Sequence, residues 1–193
     1  MNKRDFLGAA LVAGATPALA AARAPAHPAG PVLLTLTGAL GKTNRGPFDA
    51  GRDILMGKHK LAFARAWALD FATLAALPAV TIRPTLEYDG QVHTLRGARL
   101  ADVLALAGVR LQDSTRLALR ALDGYAASID GAQARALGFI VATHLDGQAL
   151  ALGGLGPLWA VFDADRVPAL AARPLAERFG NCPWGMYHIE VLA

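Results

Sequence analysis

Three of the four Asp-Gly pairs in this 193-residue chain, Asp89-Gly90, Asp123-Gly124 and Asp146-Gly147, each lie between two apolar runs. Asp-Gly suits the left-handed backbone of a tight hairpin turn, so the chain is committed to antiparallel pairing at three places. The predicted arms are residues 80–88 and 91–95, 115–122 and 125–129, and 139–145 and 148–152. Residues 32–37 read as a first strand ended by Gly38, and residues 157–162 and 186–192 as two more. The helices are short. Asp70 is an N-cap for residues 71–77, stopped by Pro78. Residues 99–107 carry Leu100, Val103, Leu104 and Ala107 at helical spacing, with Gly108 as C-cap. Seven or eight strands with two or three short helices predict an α+β fold. The regular strand–helix alternation of a doubly wound sheet is missing, which argues against a dinucleotide fold.

The ends add an address. Met1-Asn2-Lys3-Arg4-Asp5 is a short basic region, an apolar run follows to Leu19, and Ala18-Leu19-Ala20 is a small-x-small cleavage pattern. Residues 1–20 therefore read as a signal peptide cleaved near Ala20, and the mature protein as periplasmic or otherwise exported. The run is shorter than the ~20 residues of a membrane span. Lys3-Arg4-Asp5-Phe6-Leu7 also resembles a twin-arginine signal with Lys in the first basic position, beside the alternative of an ordinary secretory signal. Residues 21–31, rich in Ala and Pro, read as a flexible leader, and residues 32–193 as one folded domain.

Lys and Arg outnumber Asp and Glu by 19 to 15, and they are scattered, without a basic run. Nucleic-acid binding has no support in that pattern. The one cysteine, Cys182, forbids an internal disulfide, so stability rests on a core that the 54% hydrophobic composition supplies.

Several motifs dissolve on inspection. Gly153-Gly154-Leu155-Gly156-Pro157 precedes a strand, and Pro157 offers no N–H, so a tight turn is favoured over a phosphate cradle. Ser114 and Ser128 lie in no nucleophile elbow. The histidines show no zinc-hydrolase spacing. Cys182, Met186 and His188 are soft ligands that could suit copper, or ordinary side chains flanking a loop. Strand alternation with Ile189 and Val191 inward places Met186 and His188 together on the opposite face. Glu87, Asp89, Asp123 and Asp163 fall at strand ends as turn residues.

Taken in order, four stretches carry a family resemblance. They are Leu34-Thr35-Leu36-Thr37-Gly38 with Thr43-Asn44, residues 69–78 ending Leu77-Pro78, residues 95–108, and the series Asp123-Gly124-Tyr125, Asp146-Gly147-Gln148, Gly156-Pro157-Leu158-Trp159, His188-Ile189-Glu190-Val191. In this order the chain resembles the sulfite-oxidase-type molybdopterin-binding domain, in its small single-domain bacterial form. The resemblance implies the fold of that domain and a pocket shaped for a pterin or molybdopterin.

It also implies what is absent. Catalytic members hold molybdenum through a cysteine just after the strand that here runs Val80-Thr81-Ile82-Arg83-Pro84-Thr85, and this chain has none there. They carry arginine where this chain has Trp159. Molybdenum is accordingly not expected. The implied role is that of a non-catalytic, sensory protein binding a small pterin-like ligand and reporting to a membrane-bound signalling or redox partner. One alternative is a molybdopterin-dependent oxidoreductase that holds the cofactor without the usual cysteine. Another is an interaction domain without ligand. The expected contacts are Asn44 and Arg45 on the pterin edge, Arg83 as charge beside the lost cysteine, Trp159 and Trp184 as stacking walls, and Arg178, with Arg173, on a phosphate tail.

Overall fold

The structure, a computed structural model, describes residues 27–192; residues 1–20, expected from the sequence to be a signal peptide, and residues 21–26 of the expected leader lie outside them. The elements run β1 (Val32–Gly38), α1 (Ile54–Lys58), β2 (Ala66–Asp70), α2 (Phe71–Ala75), β3 (Ala79–Ile82), β4 (Leu95–Arg99), α3 (Leu100–Leu106), β5 (Arg116–Ala121) and β6 (Ala126–Asp130). They continue with α4 (Gly131–Leu137), β7 (Ile140–Leu145), β8 (Gln148–Ala149), β9 (Trp159–Val161), α5 (Pro168–Ala171) and β10 (Met186–Leu192), with 3-10 turns at Ala164–Arg166 and Leu175–Glu177.

Two five-stranded sheets form. One has the order β2-β1-β10-β5-β6; the other is β3-β4-β7-β8, with β9 also paired to β7. All pairings are antiparallel except β1 with β10, which brings the first and last strands side by side. Leu34 and Leu36 of β1, Leu117 and Leu119 of β5, Ile189 of β10 and Ile140 of β7 are sealed in one core with Leu100, Val103 and Leu104 of α3. Each such side chain removed from water contributes roughly 1.5–3 kcal/mol, which lets the fold dispense with a disulfide.

The chain crosses between the sheets beside β9. Ala160 N–H donates to Pro183 O, Met186 N–H to Leu158 O, and Trp159 bridges Trp184. Segment 182–186 is thereby fixed on the end of one sheet as it enters the other.

All three Asp-Gly hairpins are present. The first is longer than predicted: its regular strands are β3 and β4, and residues 83–94 form a loop closed by a Thr85–Val92 bridge. Its Asp89 meets the third turn through His93, whose Nε2 lies 2.8 Å from Asp89 Oδ2 and Nδ1 2.6 Å from Asp146 Oδ2. Asp70 caps α2 as predicted, accepting from Thr73 N–H at 2.8 Å. Its other oxygen accepts from Ala29 and Gly30 N–H, so these two leader residues are tied down. Four elements escaped the sequence reading: α1, the edge strand β2, α4, capped by Asp130 on Gln133 N–H at 2.7 Å, and α5.

One register expectation is corrected. A bulge between Met186 and His188 opposes Met186 to Ala121 and His188 to Arg120. Met186 therefore turns into the core with Ile189, and His188 alone takes the other face, 1% exposed, Nε2 at 2.8 Å from Thr37 Oγ1. Burial and the Arg120 charge pull its imidazole down to about 4, so it is neutral. Among the described residues no group of three or more His, Cys, Asp or Glu side chains is placed to hold a metal ion.

Candidate functional site

The loop leaving β3 carries the position where the resemblance puts a metal-ligating cysteine. Here its backbone and hydroxyl groups are bound to the segment after β9. Arg83 N–H donates to Asp163 Oδ2 at 3.3 Å, and Thr85 donates both its N–H and Oγ1–H to Asp165 Oδ2 at 2.7 Å. Asp165 Oδ1 accepts from Arg178 Nη1 at 2.8 Å. Burial works against the Asp165 carboxylate, but the two Thr85 bonds and the Arg178 charge outweigh it and hold the group below its usual range. Arg178 also donates from Nε to Arg173 O and from Nη2 to Ala171 O, so its guanidinium is oriented by three partners. Asp163 Oδ1 is buried without a hydrogen-bond partner.

Two cavities flank this loop junction, and both are lined by Gly180. The larger, about 520 Å³, is walled by Phe162, Val167, Leu170 and Leu137 and carries Gln133, Asn181, Glu177, Arg173 and Arg178. An apolar wall with a few convergent polar groups is the composition of a small-molecule site. The smaller, about 270 Å³, is lined by Glu87, Tyr88, Asp123, Tyr125, Cys182 and Trp184.

The expected site residues do not all meet. Arg178 lines the larger cavity and Trp184, 42% exposed, the smaller. Arg83 is exposed on the loop between β3 and the first Asp-Gly turn, its backbone at Asp163. Trp159 is 1% exposed, its Nε1 donating to Cys182 O at 2.9 Å and its ring against Phe179, so it belongs to the core. Asn44 acts as an added rung on the edge of β2: its Nδ2 donates to Ala68 O and its Oδ1 accepts from Ala68 N–H. Arg45 pairs with Asp53 at 2.7 Å, lies over the Phe63 ring, and lines a separate groove of about 360 Å³ with Thr35, Ile54 and Leu55. The sequence reading missed Asp165, Gln133 and Asn181, for which no local pattern signals a role. It also missed Tyr88 and Tyr125 as site residues, although each adjoins an Asp-Gly pair, where a large ring has no core to enter.

A molybdenum centre held through a thiolate does not fit these side chains. At the position after β3 the nearest candidate donor, the Thr85 hydroxyl, is committed to Asp165. Cys182 is 4% exposed, and burial pushes its thiol far above the usual range despite a hydrogen bond from Phe162 N–H. A buried, protonated thiol is a poor metal ligand.

No protein-family model matches the chain, and no curated protein matches it. Among solved structures, the sulfane dehydrogenase SoxCD from Paracoccus pantotrophus matches with 15% identity and a TM-score of 0.50. The match covers 82% of this chain and 37% of that one, so this chain spans little more than a third of its neighbour's length. At this identity the similarity concerns the fold alone: two sheets with short helices, in an arrangement consistent with the sulfite-oxidase type.

Proposed function

We propose that this is an exported, non-catalytic protein that binds a small pterin-type ligand in the 520 Å³ cavity beside Arg178. The observation that carries the reading is the chemistry of that cavity, next to a cysteine-less metal position. A pterin presents a flat ring and an edge of alternating donors and acceptors. Phe162 and the aliphatic wall suit the ring; the amides of Gln133 and Asn181 and the Glu177 carboxylate suit the edge. Arg173 and Arg178 suit an anionic tail, Arg178 because its guanidinium is held in one orientation by Asp165. The alternative, a molybdopterin-dependent oxidoreductase holding the cofactor without the usual cysteine, has no comparable support, since among the described residues no group of three or more His, Cys, Asp or Glu side chains is placed to hold a metal in the thiolate's stead.

The sensory part of the reading requires a partner, here a membrane-bound signalling protein. Val32, Ile54, Leu55 and Leu152 are exposed around the groove lined by Arg45, and a clustered apolar patch of this kind is suited to protein contact. Export rests on residues 1–20.

Binding is tested with pterin-6-carboxylate, followed by quenching of its fluorescence. Saturable binding is expected, weakened about tenfold or more in Arg178→Gln with folding retained. Equal binding by the wild type and Arg178→Gln contradicts the assignment of the cavity.

A further inference from the structure

We propose that the 270 Å³ cavity between Tyr88, Tyr125 and Trp184 is a second binding site, for a small organic cation of the methylated-ammonium class. The inference does not rest on the pterin reading, which concerns the other side of Gly180. Among the described residues, the exposed aromatic rings are Tyr88 at 55%, Tyr125 at 46% and Trp184 at 42%. All three line this one cavity. Rings left in water on three separate stretches of chain have no packing reason to converge, so their convergence needs another account.

The charge of the cavity selects the ligand. Its charged side chains are two carboxylates, Glu87 and Asp123, and no Lys, Arg or His lines it. The Glu87 charge is felt inside: burial first, then Glu87, push the Tyr88 hydroxyl up to about 12. An aromatic face attracts a cation through its quadrupole, and carboxylates at the rim add a field of the same sign. A phosphate or carboxylate ligand meets repulsion here. A neutral apolar ligand gains nothing from Glu87 or Asp123. A methylated ammonium ion satisfies both halves, presenting apolar methyl groups to the rings and spread positive charge to the acids.

The walls are pre-arranged. The Tyr125 hydroxyl donates to Gly180 O, and Tyr125 N–H donates to Asp123 Oδ1 at 2.9 Å. Trp184 is bridged through its backbone to Trp159, and its segment is pinned by the Trp159 Nε1 bond to Cys182 O. Little ordering is left for a ligand to impose, which favours binding.

The test compares choline with 3,3-dimethylbutan-1-ol, its neutral carbon isostere, by calorimetric titration of the full chain. Choline is expected to bind saturably and at least about tenfold more tightly than the alcohol. The double substitution Glu87→Gln with Asp123→Asn keeps hydrogen-bond acceptors in place and is expected to abolish that preference, with the thermal midpoint showing that the fold persists. Trp184→Phe is expected to weaken choline several-fold while leaving pterin-6-carboxylate binding unchanged. Equal affinity for choline and the alcohol overturns the proposal, as does no saturable choline binding up to about 0.1 M. Retention of the preference in the double variant overturns it too.

Discussion

His93 stands between two hairpin turns with a carboxylate on each ring nitrogen, a geometry that is complete only when the imidazole is protonated. The Asp146 bond, then the Asp89 bond, raise its pKa above 6.5. A raised pKa stabilises the folded chain fully below the unfolded value and loses its contribution as pH rises through the folded one. Asp146 and Asp89 are held below their usual range, Asp146 chiefly by His93 and Asp89 by Gln91 N–H and then His93. Their contribution is lost as pH falls through the lowered values. The clasp is thus most effective between those limits. The thermal midpoint of His93→Gln is expected to fall furthest below wild type in mildly acidic solution, with the gap closing as pH rises past the His93 titration. A gap that grows with pH contradicts this. Asp70 behaves in the opposite sense. Bonds from the Thr73 hydroxyl, then Gly30 and Thr73 N–H, lower it to about 2. Asp70→Ala is expected to destabilise the chain across neutral pH, the difference fading as pH drops toward 2 in acid unfolding curves.

At the scale of elements, close backbone approach sets the strictest demand. Gly97 lies where β4 shifts register against β7, and a Cβ there would overlap Val141 O and C. The overlapping atoms belong to the β7 backbone, which cannot give way cheaply, so Gly97→Ala is expected to cost about 2–4 kcal/mol in denaturant unfolding, against near-neutrality for the same change at Gly46, where an added Cβ meets nothing within 4 Å. The same strand shows what the sequence made legible. The Asp-Gly pairs located the three hairpins, and Asp70, Leu100, Val103 and Gly108 located two helices, because turn chemistry and amphipathic spacing act locally. The edge strand β2 was not legible: Ala66 and Ala68 carry no strand preference, and the strand exists because β1 on one side and the Asn44 side chain on the other hold its backbone. The inward turn of Met186 was hidden for a related reason. A bulge is a property of the β10–β5 pair, and period-two alternation along β10 alone cannot reveal it. Of the candidate site, Arg178 and Trp184 were placed on cavities, while Asp165, Gln133 and Tyr88 lie on a 3-10 turn, a helix and a turn brought together only by the fold.

For the whole molecule, the two sheets and the crossing at segment 182–186 put a cysteine-less loop, a guanidinium-lined cavity and an aromatic, acidic cavity around Phe179 and Gly180. On the proposed function, the first cavity retains a pterin-type ligand without the chemistry of a molybdenum centre. The direct measurement is metal analysis together with fluorescence of the ligand released from protein purified from the periplasm of its own host. Pterin-type fluorescence with molybdenum far below stoichiometric is expected. Stoichiometric molybdenum would contradict it, and so would a preparation that releases no fluorescent ligand.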